Sequence, residues 1–264
     1  MTDKGKVILA GAGPGDPELI TLKAYKYLQQ ADVILYDRLV SEEILKRYAN
    51  PCAELVYVGK QGHCQANITQ QQINFLLLDY YHPEKLIVRL KGGDTAFYSN
   101  IFDELLTLSD NNIPYEIIPG ITAAAGASAY CGIPLTARGY ADSVKFITYS
   151  GKKNPPESYW SNLAQSNDTL VFYMSSERLS SLLRHLITAG IGNDKHIAVI
   201  EQATTPMQQI TVYRFNHLPL IFPHFQSPSL IIIGKVVALH QQFQWKENAS
   251  ENEVYFKNLL LQSA

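Results

Sequence analysis

Short apolar runs alternate with segments of helical period through the first half of the chain. Val7-Ile8-Leu9-Ala10 ends at Gly11-Ala12-Gly13-Pro14-Gly15-Asp16-Pro17, the pattern of a buried strand entering a tight glycine loop. Leu19, Leu22, Ala24, Tyr25 and Leu28 then recur at helical spacing, with Asp16 or Thr21 as the cap. Val33-Ile34-Leu35-Tyr36 predicts a second strand, closed by Asp37-Arg38, and Ile44, Leu45 and Tyr48 a second helix. The alternation continues through a strand at residues 55–60, a helix around Ile73 to Leu78, the strand Leu86-Ile87-Val88-Arg89-Leu90-Lys91 and a helix near Ile101 to Leu108. Strand-helix alternation of this kind predicts a mainly parallel sheet with helices on both faces. In such sheets ligands gather at the carboxyl ends of the strands, where these glycine loops would lie.

The second half reads differently. After Tyr115-Glu116-Ile117-Ile118 comes a run of small residues, Ala123 to Ala129, suited to a closely packed helix. Strands are predicted at Val144 to Thr148, Thr169 to Met174, Ile197 to Glu201, Gln209 to Arg214 and Ser229 to Ile233, with turn signals between them. We expect an N-terminal α/β domain over residues 1–138, a C-terminal domain over residues 139–242 richer in short strands, and a polar tail over residues 243–264.

Composition narrows the function. The chain has 264 residues, 46% of them hydrophobic, enough for a substantial core. Only 17% are charged and the formal net charge is −2, so no broad basic field points to a nucleic-acid partner. The first residues carry no signal-peptide pattern, and the apolar run Leu230-Ile231-Ile232-Ile233 stops far short of the roughly 20 residues of a membrane span. These features predict a soluble, cytoplasmic protein with no membrane partner. Cys52, Cys64 and Cys131 match neither a disulfide framework nor a zinc site, and His63-Cys64 stands without a second pair of ligands, so reduced thiols and no metal are expected.

Three strand-end loops hold the candidate chemistry. Residues 11–16 resemble a dinucleotide fingerprint, but Asp16 occupies the place of its third glycine. A carboxylate there disfavours a pyrophosphate at the helix N-terminus. The loop is either a plain glycine turn or a contact for a ligand without phosphates. Asp37 suits a helix cap, a ribose-binding acid or a base that removes a proton. Gly92-Gly93-Asp94 permits close backbone approach beside a carboxylate. Acidic loops poor in phosphate-binding features favour a nucleoside of positive charge, a description that S-adenosylmethionine fits.

Seven segments together resemble the tetrapyrrole methylase family, and within it the uroporphyrinogen-III C-methyltransferases. They are residues 7–22 (VILAGAGPGDPELITL), 31–41 (ADVILYDRLVS), 56–60 (VYVGK), 88–94 (VRLKGGD), 119–124 (PGITAA), 132–136 (GIPLT) and 170–174 (LVFYM), in family order and at family spacing. The resemblance covers about residues 5–240. It implies a two-domain tetrapyrrole methylase fold of α/β class, with a mainly parallel N-terminal sheet, a mixed-sheet C-terminal domain, the cofactor cleft between them, and a homodimer. It implies S-adenosyl-L-methionine as cofactor, S-adenosyl-L-homocysteine as its product, and two methylations that turn uroporphyrinogen III into precorrin-2, on the route to sirohaem and cobalamin.

Carried over motif by motif, the resemblance assigns cofactor contacts to Pro14, Gly92, Gly93, Asp94, Phe97, Thr122, Ala123, Met174 and Ala203. Asp37 matches the proton acceptor and Lys60 the proton donor. An Asp37 acting as base near neutrality would benefit from partial burial. The acceptor's eight carboxylates require local cations, and Arg38, Lys91 and Arg138 stand in or beside the matched loops, with Lys60, Arg89 and Lys145 nearby; each is otherwise a solvated surface charge.

The family pattern also breaks in three places. After Gly92-Gly93-Asp94 the family continues Pro-Phe-Ile-Phe-Gly-Arg-Gly-Gly-Glu, whereas residues 95–103 read TAFYSNIFD, without the arginine and the three glycines. A family His and Asp are replaced by Ala137 and Gly139 around Arg138, and a Thr-Gly-His by Thr148-Tyr149-Ser150. These changes predict a divergent member, with a later precorrin as alternative acceptor, or a cofactor-binding member without turnover.

Overall fold

The computed structural model describes residues 4–59, 68–151, 155–250 and 253–256, which fall into two compact units, the chain up to Ala123 together with Phe256, and Ala124–Tyr255. The expected boundary at residue 138 thus lies 15 residues beyond the observed division, because the small-residue helix packs almost wholly within the second unit.

The first unit is built on β1 (Lys6–Gly11), β2 (Val33–Tyr36), β3 (Glu54–Tyr57), β4 (Leu86–Lys91) and β5 (Tyr115–Ile118), all parallel, in the order β3-β2-β4-β1-β5. As the near-continuous apolar strands predict, both faces are covered. Helices α1 (Leu22–Gln30) and α2 (Glu42–Tyr48) bury Ala24, Leu28, Ile44 and Leu45 with Ile8, Ile34 and Val88. On the opposite face α3 (Gln70–Tyr80) and α4 (Ile101–Asp110) bury Ile73, Leu77 and Leu108 with Leu9, Leu35 and Ile87. Both proposed caps are used: Asp16 accepts from the Glu18 amide in a short 3₁₀ turn, and Thr21 accepts from the Ala24 amide at the start of α1. Thr69 and Gln72 form a capping box on α3.

An ion cluster ties β5 to its neighbours. Glu116 accepts hydrogen bonds from Tyr27 Oη at 2.6 Å and Lys6 Nζ at 3.1 Å, and pairs with Lys23. Lys23, then Tyr27, hold the Glu116 carboxyl near pKa about 2 against an ordinary 4.5. A depressed carboxylate pKa stabilises the fold above the unfolded value and loses that contribution as pH falls toward the folded one. Glu116→Gln is therefore expected to lower stability by about 1–2 kcal/mol at neutral pH, after allowance for solvent screening. Thermal unfolding of both proteins should converge as pH drops from about 4.5 toward 2.

The second unit holds β6 (Val144–Thr148), β7 (Thr169–Tyr173), β8 (His196–Glu201), β9 (Gln209–Arg214) and β10 (Ser229–Gly234), in the order β6-β7-β10-β8-β9. Only the β6–β7 pair is parallel, so the sheet is mixed, as expected. Helix α5 (Ala123–Tyr130) packs Ala124 and Ala127 with Val236 and Val237. Two helices fall where the sequence reading assigned none: α6 (Glu157–Gln165), burying Trp160 and Leu163, and α7 (Leu179–Thr188), burying Leu179, Leu182, Leu183 and Leu186. Within the expected polar tail, the described residues up to Tyr255 are tied to the second unit. After α8 (His240–Phe243), Trp245 Nε1 donates to the Ala129 carbonyl, Asn248 bonds both backbone groups of Ile210, and Tyr255 N donates to Gln202 Oε1. No helix among the described residues is long and apolar enough to cross a membrane.

Candidate active site

Three glycine-bearing segments meet at the carboxyl ends of β1 and β4. These strands are neighbours, yet β1 leads to β2 on one side of the sheet while β4 leads to β5 on the other. Their loops therefore leave in opposite directions, the topological switch at which open α/β sheets receive ligands. Gly13 and Gly93 exchange backbone hydrogen bonds of 3.0 and 2.8 Å, and both have left-handed backbones, with φ of +81° and +70°. A Cβ on Gly93 would meet nothing nearer than the Ala123 amide at 3.9 Å, so its α-carbon borders open space. A Cβ on Gly11 would lie 2.6 Å from the Gly93 carbonyl oxygen and 2.7 Å from Gly120. All three clashing groups are backbone.

Asp94 holds this arrangement together. Its Oδ1 accepts from the Ala96 amide at 2.8 Å and its Oδ2 from the Gly120 amide at 2.7 Å, and the residue is buried. The acid thus staples the loop after β4 to the loop after β5. Pro14 is buried within the first loop, Gly92 packs against Leu39, Thr122 and Ala123 are half-buried, and Phe97 is exposed. Gly11→Ala is expected to push the three loops apart, costing about 1–3 kcal/mol in stability by overpacking. Urea unfolding should read that loss as a lower midpoint at an unchanged slope.

Asp37 follows β2, one strand away from these loops. Its carboxylate is 28% exposed, and Oδ1 accepts from Arg89 Nη2 at 2.6 Å. Arg89 is itself 1% exposed, between Leu9 and Leu35 in the sheet register. Its Nη1 donates to the Leu35 and Leu90 carbonyls, and its Nε to Glu104 Oε1 at 3.0 Å. Glu104 is fully buried on α4 and accepts from Lys91 Nζ through both oxygens at 2.8 Å. Burial opposes the Arg89 charge, but Asp37 and Glu104 overcome it and raise its pKa above the ordinary value. For Lys91, burial and then the neighbouring Arg89 outweigh Glu104 and lower its pKa.

This corrects the expectation for two of the cations. Lys91 is 2% exposed and its charge is answered inside the fold by Glu104, so it is not presented to a ligand, and the same holds for Arg89. Both side chains leave one face of the central strand β4, where α4 covers them. Lys145 pairs with Asp168 at 2.5 Å. Arg38 is half-buried and makes no ion pair among the described residues, and Arg138 is exposed at the tip of a turn closed by Ala137 and Ala141. Lys60, His63 and Cys64 lie outside the described residues; Cys52 is an exposed free thiol, and burial pushes the Cys131 thiol up to about 12.

In the second unit, Met174 follows β7 with its side chain exposed and a left-handed φ of +54°. Ala203 is buried in the loop after β8, between Gln202 and Thr204 at φ of +48° and +67°. Left-handed backbone at a β-branched residue is uncommon and costs on the order of 1–3 kcal/mol. Gln208 offsets that cost through a 2.7 Å bond from the Thr204 amide, and Gln202 bonds the Glu253 carbonyl and the Tyr255 amide. Sequence reasoning gave no separate role to Glu104, Gly11 or Gly120. Each had a signal: an acid four residues before Leu108 on the apolar stripe of α4, and glycines ending a strand or following one.

The two sheets, with glycine loops at parallel strand ends in the first unit and left-handed backbones in the loops after β7 and β8 in the second, define a two-unit α/β protein. Residues 6–219 match the family model of Tetrapyrrole (Corrin/Porphyrin) Methylases, and the chain belongs to that family. It is 46% identical over 244 residues to a siroheme synthase of Acinetobacter baylyi, covering 92% of this chain and 53% of that protein. A siroheme synthase 2 of Yersinia enterocolitica is 42% identical over 257 residues, 97% of this chain and 54% of the relative. The chain thus spans about half the length of the curated relatives it matches. Among solved structures, uroporphyrin-III C-methyl transferase from Thermus thermophilus complexed with S-adenyl homocysteine matches with a TM-score of 0.73 at 35% identity, over 88% of this chain and 93% of that one. A cobalt precorrin-4 methyltransferase matches at 0.75 and 28%, over 88% and 95%.

Proposed function

We propose that the chain is an S-adenosylmethionine-dependent C-methyltransferase that converts uroporphyrinogen III to precorrin-2 by two methylations. The observation that carries this reading is a carboxylate, Asp37, held by a buried guanidinium one strand away from a glycine junction that is open at Gly93. Likeness to a uroporphyrin-III C-methyl transferase complexed with S-adenyl homocysteine supports the choice of cofactor and acceptor.

The loops fit the cofactor. Gly92 and Gly93 allow backbone approach, Asp94 fixes the loops rather than offering its carboxylate, and Pro14, Phe97, Thr122 and Ala123 are further proposed contacts of the first unit; Met174 and Ala203 are the residues proposed in the second. When bound, the cofactor supplies an electrophilic methyl group on a sulfonium. These residues align it with the acceptor, which is the main demand of an in-line displacement. Asp37 would accept the proton that the acceptor carbon must shed once it carries the methyl group. Lys60 is the proposed proton donor. Arg38 and Arg138 pair with substrate carboxylates.

We further propose a homodimer in a reducing, cytoplasmic compartment. Exposed Phe75, Phe102 and Leu106 on α3 and α4 support a covering partner, and the exposed thiol of Cys52 supports the compartment. A second reading, methylation of a later precorrin, is favoured by one feature, the altered loop at residues 95–103, where Tyr98 and Asn100 have left-handed backbones. Anaerobic incubation with S-adenosylmethionine and uroporphyrinogen III, followed by mass spectrometry, tests the assignment. Two added methyl groups are expected; none, with S-adenosylhomocysteine binding intact, would move the reading to the other acceptor.

A further inference from the structure

We infer that Arg89, fixed by Glu104, is a positioning residue for Asp37, an inference that rests on the proposed role of Asp37 as base. The geometry argues it in three steps. First, the Arg89 guanidinium spends its donors in four directions at once: Nη2 on Asp37, Nε on Glu104, and Nη1 on two backbone carbonyls. A planar fork engaged through all three of its nitrogens has one orientation, so the Asp37 carboxylate it holds at 2.6 Å has one too.

Second, only one oxygen of Asp37 is engaged. Oδ1 accepts from Arg89, and Oδ2 has no hydrogen-bond partner among the described residues. The pair therefore selects which oxygen faces a proton to be removed. Third, the buried charges do not balance without Asp37. Arg89 and Lys91 are two cations against the single buried carboxylate of Glu104, and Asp37 brings the cluster to neutrality. Lys cannot replace Arg here, because an ammonium on a flexible stem does not bridge Glu104 and Asp37 in a fixed plane.

The test is Arg89→Lys, which keeps the buried charge and removes the fork. We expect kcat for methyl transfer to fall about 50-fold or more, in line with the loss that roughly 1 Å of misplacement produces. KM for the tetrapyrrole and Kd for S-adenosylhomocysteine should stay within about twofold, because neither ligand is held by Arg89. In an Asp37→Asn background the same substitution should change the residual rate by less than about twofold, since residues that act as a unit are not additive. Glu104→Gln, which loosens Arg89 without touching Asp37, should show the same split between kcat and KM at about a tenfold loss. A kcat within threefold of wild type, a loss confined to KM or Kd, or multiplicative losses in the double variant would each overturn the inference while leaving wild-type methylation intact. Failure of the wild-type protein to methylate any tetrapyrrole would instead remove the base assignment, and this inference with it.

Discussion

Asp37→Asn is expected to lower the rate of methyl transfer by about 10²- to 10⁴-fold, the range that a positioned acid or base contributes. Asparagine keeps the size of the side chain and an oxygen for Arg89 Nη2, so the loop after β2 retains its shape. What disappears is the capacity to take the proton displaced when the acceptor carbon becomes fully bonded. Calorimetry with S-adenosylhomocysteine should give a dissociation constant within about twofold of wild type, because Asp37 is absent from the glycine junction. Stopped methylation with an intact cofactor site is the expected pair of results. An unchanged rate would show that solvent or another group removes the proton.

Glu104→Ala is expected to cost about 3–5 kcal/mol of stability, read from urea unfolding, as the loss of one partner in a buried ion cluster typically does. The residue is fully buried and accepts from both Arg89 and Lys91, so alanine leaves two cations inside the sheet with only Asp37 to answer them. Replacing Arg89, Lys91 and Glu104 together by Met, Met and Leu should recover much of that stability, since a packed apolar core avoids the desolvation penalty. It should not recover methylation. The contrast would separate what the cluster does for folding from what it does for Asp37.

Much of the first unit was legible because its strands are short apolar runs and its helices carry recognisable caps. Asp16 and Thr21 were both named as cap candidates, and both serve, on successive helical turns. The loops after β1, β2 and β4 were equally plain, since glycine and aspartate at strand ends are local features. Long-range pairings were harder. That Gly11 touches Gly120, and that Asp94 bonds the Gly120 amide, depends on β5 pairing beside β1, which no local pattern specifies. Lys91 was misjudged because a charged residue in a strand reads as exposed. The corrective signal was its spacing from Arg89: residues two apart share a face of a strand, and Ile87 on that face is apolar. Two cations there called for a buried acid. The leucines of α7 recur at positions 179, 182, 183 and 186, a clear helical stripe, but the dominance of strands around them masked it.

The binding of Gln202 to Glu253 and Tyr255 bears on how the molecule can be dissected. Trimming it at residue 242, where the sequence turns polar, would strand a buried amide side chain and release Asn248 from the edge strand β9. That edge would then be bare and ready to pair with another chain. Anyone fusing a reporter or second enzyme to this protein should keep the stretch through Tyr255 and attach the addition beyond it, or expect aggregates in place of a working hybrid.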